Sequence, residues 1–132
     1  MKFSTKATYG LRAMIRLAKS GDKESVSLSS IAKAENISQK YLERLFSELK
    51  KADLVKSEKG TSGGYKLLKD PSEINILDII NALEGKISPF HCYSKDEKIY
   101  CNTGCNCGVT LVLSRIQQSV AMTLKDIKLS QL

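Results

Sequence analysis

Four cysteines, Cys92, Cys101, Cys105 and Cys107, stand within one polar stretch, and the chain has no others. Thiolates are soft ligands, so several on one loop suit a thiophilic metal centre. Eight residues separate Cys92 from Cys101, and five separate Cys101 from Cys107, with Cys105 between them. Structural zinc favours paired Cys-x-x-Cys knuckles, which do not occur here, and the compact ferredoxin runs do not match either. By spacing, an iron–sulfur cluster leads, with zinc, a thiol redox switch and inert cysteines still open. His91, the single histidine, adjoins Cys92 and offers an imidazole nitrogen as a fourth ligand. Cys105 is the other candidate for that place, or a resolving thiol. Lys95 and Lys98 share the loop and would offset the negative charge of a thiolate-bound cluster. No Cys-x-x-Cys redox pair, Ser/His/Asp set or nucleotide-binding glycine loop accompanies these residues. A redox enzyme or electron carrier therefore has little support.

The residues before the loop suggest what it serves. The chain has 132 residues and a net charge of +7. Residues 1–69 hold 15 Lys/Arg against 7 Asp/Glu, whereas residues 70–132 hold 6 against 7. A basic front half and a near-neutral back half point to a polyanion partner for the front half. Lys6, Arg12 and Arg16 interrupt the first helix, which rules out a signal-peptide h-region, and no apolar run approaches the ~20 residues needed to span a bilayer. A cytoplasmic location without membrane contact is expected. In a reducing cytosol, clustered cysteines favour metal or redox chemistry over a structural disulfide.

Hydrophobic periodicity predicts a first helix from Ser4 or Thr5 to about Ser20, with Phe3, Ala7, Leu11, Met14 and Ala18 on its apolar stripe. A second helix, capped by Ser29, should end at Glu35. Asn36-Ile37-Ser38 is a tight turn, and Ser38 can cap a third helix over about Gln39 to Ala52. Leu42, Leu45, Phe46 and Leu49 face its core, leaving Gln39, Lys40, Glu43, Arg44 and Ser47 outside. Two helices joined by so short a turn are a helix-turn-helix pattern. Leu54–Ser57 and Tyr65–Leu68 then read as paired strands, joined by Lys59-Gly60-Thr61-Ser62-Gly63-Gly64. The glycines let the backbone approach a surface closely, and the tip offers hydroxyls, amides and a lysine to phosphate. The fold class is thus mainly α with a small β-hairpin wing: a winged helix-turn-helix over residues 1–70. A linker helix is expected within 71–85, the cysteine loop over 86–108, and a last helix with tail over 109–132. In that last helix Val109, Val112, Ile116, Val120 and Leu124 form one stripe. It has little of its own domain to bury against, so homodimerisation through it is expected.

Several motifs together resemble the Rrf-two family of bacterial regulators. They are residues 1–13, Ile37-Ser38-Gln39-Lys40-Tyr41-Leu42-Glu43-Arg44-Leu45-Phe46, Gly63-Gly64-Tyr65, residues 78–85 and Leu124-Lys125-Asp126-Ile127. The resemblance implies a homodimeric winged-helix transcriptional regulator, mostly a repressor, on palindromic double-stranded operators. It implies iron–sulfur ligation by Cys92, Cys101 and Cys107, as [2Fe–2S] or [4Fe–4S]. Ser38, Gln39, Lys40, Tyr41, Glu43 and Arg44 would enter the major groove, with Gln39 suited to adenine and Glu43 to cytosine. Lys40, Arg44, Lys56 and Lys59 would attract phosphate, as would the amides of Ser62 and Gly63. Three departures stand out. Some members place a histidine ligand where this chain has Thr110, others an acidic ligand where it has Thr8, and many carry an arginine where it has Lys59. The fourth ligand is therefore open, and the wing lacks a guanidinium fork.

Overall fold

The computed structural model describes residues 2–21, 24–61, 63–88 and 107–132. The first helix, α1, spans Thr5–Lys19, and the Ser4 hydroxyl caps it by accepting the Ala7 N–H. Its buried face is Ala7, Gly10, Ala13, Met14 and Leu17. Leu11 and Ala18 are only partly buried, and Phe3 is 38% exposed. The buried face is thus rotated from the expected stripe toward the small residues, against which a later helix packs. α2 spans Leu28–Glu35 and is capped by Ser27, not Ser29. The helix starts early because Leu28 is already buried, and the Ser27 hydroxyl accepts the Ser30 N–H at 3.2 Å.

Asn36 takes the left-handed conformation, φ 54° and ψ 49°, and turns the chain into α3, Gln39–Lys51. Asn tolerates this region better than branched residues do. Leu42, Leu45, Phe46 and Leu49 are buried. Each such side chain contributes ~1.5–3 kcal/mol on burial. The polar residues between them stay outside, as the periodicity predicts.

Strands β1, Val55–Glu58, and β2, Gly64–Leu67, pair antiparallel with Val55 opposite Leu67 and Glu58 opposite Gly64. Both are shifted by one residue from the expected ranges. Val26 adds a bridge to the hairpin, exchanging backbone hydrogen bonds of 2.8 Å with Tyr65 in both directions. The Tyr65 ring meets Phe46 edge-on at 4.9 Å, which seats the wing on α3.

The next helix, α4, covers Ile76–Glu84, and Asn75 caps it by accepting the Asp78 N–H at 2.9 Å. The segment expected as a linker helix joins the same core as the head: Ile74, Ile76, Ile79, Ile80 and Leu83 are all buried. The fit against α1 is close, since a Cβ at Gly10 would stand 2.2 Å from Leu83 Cδ1. The last helix, α5, spans Gly108–Asp126 with Cys107 at its N-cap. Beyond it the chain returns to the head. The Ile76 N–H donates to the Ile127 carbonyl, Leu129 to Ile74 and Ser130 to Pro71, and Leu129 is buried in the core. Among the described residues, no helix is long and apolar enough to cross a membrane.

Candidate nucleic-acid interface and cysteine site

Ser38 begins α3, yet its hydroxyl makes no capping hydrogen bond and stays exposed. Gln39, Lys40, Glu43 and Arg44 are exposed on the same helix. The Gln39 amide donates to Glu43 Oε1 at 3.3 Å, so the two candidate base readers are aligned with each other. A shallow open groove of about 480 Å³ runs along Lys40, Glu43, Arg44, Ser47, Glu48 and Lys51. Among the described residues, Lys40 and Arg44 have no ion-pair partner. Glu48 is engaged by Lys6 at 2.6 Å. Two cations are thus left to face an external anion.

Tyr41 differs from its neighbours. It is only partly exposed, and its ring stands edge-on to Tyr9 with centroids 6.1 Å apart. This expected groove-facing residue is held against α1.

On the wing, Lys56 and Lys59 are exposed and, among the described residues, unpaired. Lys66 is taken by Glu58 at 2.7 Å, and Lys50 donates to the Ser57 hydroxyl at 2.7 Å. The glycines serve the hairpin itself. The Gly63 N–H donates to the Gly60 carbonyl at 2.9 Å, which uses the amide expected to reach phosphate. A Cβ at Gly64 would stand 2.3 Å from the Val26 carbonyl oxygen. The surface this backbone approaches so closely is the protein's own. Ser62 lies outside the described residues.

Sequence reasoning missed a polar cluster behind the helix-turn-helix. Arg12 donates to Glu35 Oε2 at 3.0 Å and to the Glu35 carbonyl at 2.8 Å, while Arg16 donates to Glu35 Oε1 at 2.9 Å. The hydrogen bond from Arg16, followed by that from Arg12, holds the Glu35 carboxyl below the usual carboxylate range. Arg12 also lies 5.7 Å above the Tyr9 ring. The signal available in the sequence was two arginines four apart on one face of a helix and an acidic residue ending the next.

Of the cysteine site, Cys107 is described; His91, Cys92, Cys101 and Cys105 lie outside the described residues. Among the described residues Cys107 has no disulfide partner, and it is half-exposed. Its carbonyl accepts the Thr110 N–H at 3.0 Å, closing the first turn of α5. Its side chain makes no capping hydrogen bond. Cys107 stands at the start of a helix, where the positive end of the macrodipole favours anionic groups. Its thiol is a soft donor suited to a thiophilic group, and the other candidate donors lie outside the described residues. Thr110 is buried and Thr8 donates to the Ser4 carbonyl at 3.1 Å, so each hydroxyl position has a structural setting in its own helix. Among the described residues no cluster of three metal-ligating side chains occurs.

The family model described as an iron-dependent transcriptional regulator, Rrf2, matches residues 3–132. The transcriptional regulator CymR of Bacillus subtilis is 50% identical over 97 residues, covering 74% of this chain and 70% of its own. IscR of Vibrio atlanticus is 33% identical over 132 residues, covering all of this chain and 75% of its own. The solved structure of CymR, the global cysteine regulator of B. subtilis, superposes with a TM-score of 0.82 at 40% identity, over 98% of this chain and 94% of that one. T. potens IscR gives 0.77 at 36% identity, over 98% and 84%. The fold described above, helices and paired wing together, is thus shared with named regulators. The chain belongs to the Rrf2 family and is a winged-helix transcriptional regulator, not an enzyme.

Proposed function

We propose that this chain is a cytoplasmic, homodimeric repressor that reads a palindromic operator and senses iron–sulfur or redox status through Cys92, Cys101 and Cys107. The observation that carries the reading is the place of Cys107. The last thiol of the triplet is the N-cap of α5, whose apolar stripe near its start is uncovered among the described residues. A change at the cysteine loop therefore begins where the candidate dimer helix begins. When bound, a cluster supplies a redox-labile cross-link among the three thiolates, with Cys105 or His91 as the further donor. The remaining work falls to the protein's own residues. Gln39 and Glu43 offer an amide and a carboxylate to base edges, with Ser38 beside them and Tyr41 held against α1 behind them. Lys40, Arg44, Lys56 and Lys59 neutralise phosphates. Ser62, outside the described residues, would add an amide to phosphate, while the Gly63 N–H is engaged by the Gly60 carbonyl within the hairpin. Discrimination amounts to ~1–3 kcal/mol per good base contact.

A second reading is favoured by the likeness to CymR, a global cysteine regulator that has also been solved in an oxidised form from Staphylococcus aureus. Here the cysteines would switch by thiol–disulfide chemistry or hold zinc.

Oxygen-free reconstitution with iron and sulfide, followed by visible absorption, metal analysis and operator binding, separates the readings. The cluster reading expects stoichiometric iron and sulfide and an operator affinity that changes about fivefold or more when the cluster is stripped. Colourless protein whose DNA affinity follows thiol oxidation supports the switch, and bound zinc supports the metal alternative. A loaded protein that grips DNA no differently from a stripped one ends the sensing proposal.

A further inference from the structure

The helix-turn-helix is gripped from behind by one face of α1, at a point on either side of its turn. Before the turn, Arg12 and Arg16 together engage Glu35, the last residue of α2, and Arg12 also takes its carbonyl. After the turn, Tyr9 receives the edge-on ring of Tyr41 in the first turn of α3. The two grips are joined, because Arg12 lies over the Tyr9 ring. Between them sit five residues, 36–40, with Asn36 in the left-handed region. The angle at which α3 leaves this turn decides where Gln39, Lys40 and Glu43 point.

We propose that Tyr9 and Arg12 are positioning residues for operator recognition: they set the orientation of the first turn of α3 without contacting DNA themselves. The inference rests on α3 being the reading helix. It also gives Tyr41 a role that differs from its neighbours'. Its ring transmits the hold of α1, whereas Gln39, Lys40, Glu43 and Arg44 face outward.

Geometry of this kind acts on selectivity. Base-edge hydrogen bonds lose strength steeply with misalignment, whereas attraction of lysines to phosphate depends weakly on angle. The two effects can be measured apart. An operator is first enriched from random duplexes with the wild-type protein. The wild type, Tyr9→Leu, Tyr9→Phe and Arg12→Ala are then titrated with that operator and with an unrelated duplex, across a salt series and well below each melting midpoint. The expected result is that Tyr9→Leu and Arg12→Ala weaken operator binding by roughly tenfold, the worth of about one base contact. Binding to the unrelated duplex and the salt slope should stay as in the wild type. Tyr9→Phe, which keeps the ring, should retain operator affinity.

Unchanged operator affinity in both disruptive variants overturns the proposal. So does an equal loss on both duplexes. A salt slope reduced by about one in Arg12→Ala would make Arg12 a phosphate contact instead, which also overturns it. If the wild type enriches no sequence at all, the reading-helix assignment fails and the positioning role falls with it. Enrichment by the wild type combined with indifferent variants sinks the positioning role alone.

Discussion

Glu35 accepts from two arginines and has a side chain only 14% exposed. Its neighbours hold the folded carboxyl below the ordinary value of 4.5, chiefly through the Arg16 hydrogen bond. A depressed carboxylate contributes stability that is full above its unfolded value and is lost as pH falls through the folded one. Glu35→Gln should therefore cost about 1 kcal/mol at neutral pH, seen as a melting midpoint lower by roughly 3–5 °C. The gap to the wild type should begin to narrow as pH falls below the ordinary value of 4.5 and close only below the lowered folded value, where the Glu35 carboxyl is neutral like the Gln amide. Parallel midpoint curves from pH 7 to pH 3 would show that the pair contributes nothing. At this scale the sequence was legible in part. Outward residues of α3 followed from periodicity, because burial on a helix repeats with its turn. The pairing of Arg12 and Arg16 with Glu35 did not, because it joins residues 23 and 19 positions apart that meet only once the helices cross.

Among the elements, the wing shows where local reading works and where it stops. Glycine and strand-forming residues located the hairpin to within one residue at each strand. Its purpose was harder to read, since a glycine that admits a foreign surface and one that admits the protein's own backbone look alike in sequence. Gly64 is of the second kind, with space for a Cβ closed by the Val26 carbonyl at 2.3 Å and its carbon at 2.5 Å. Backbone atoms cannot swing aside as a flexible side chain can. Gly64→Ala should therefore cost ~1–3 kcal/mol. The damage should be local: the Val26 and Tyr65 amides, protected by mutual hydrogen bonds, should exchange faster, while those of α1 and α3 hold. Equal protection in both proteins would mean that the bridge absorbs the methyl group. The α2 cap was misplaced for a related reason. Ser27 and Ser29 are both good caps, and only the burial of Leu28 decides between them. Likewise a helix within 71–85 was visible, but its packing partner was not: the small residues of α1 carry little hydrophobic signal of their own.

Across the whole molecule, the last helix is divided between two surroundings. Its far end is fixed, because the returning chain pairs with residues 71–76 and buries Leu129. Leu124 and Ile127 pack against that same core. Toward its start, Val109, Val112 and Ile116 are 59%, 57% and 41% exposed, one helical stripe with nothing over it among the described residues. The spacing read this as a single continuous stripe from 109 to 124. The tail that divides it is held by backbone hydrogen bonds, which leave no mark on side-chain periodicity. An α5 of 19 residues is ~28 Å long, so an antiparallel or crossing copy has ample length to cover the open part. Burying such a stripe in a second copy removes apolar area from water twice over, once on each partner. Ile116→Glu places a charge within it without touching the head's core. The wild type should sediment as a dimer and the variant as a monomer, with helical content and head stability preserved. Operator affinity should fall by ~100-fold or more, because each half-site is then held by a single head without the effective concentration its tether provides. A variant that still sediments as a dimer would place the subunit contact elsewhere. One that becomes monomeric yet binds the operator undiminished would mean that a single head reads the whole site.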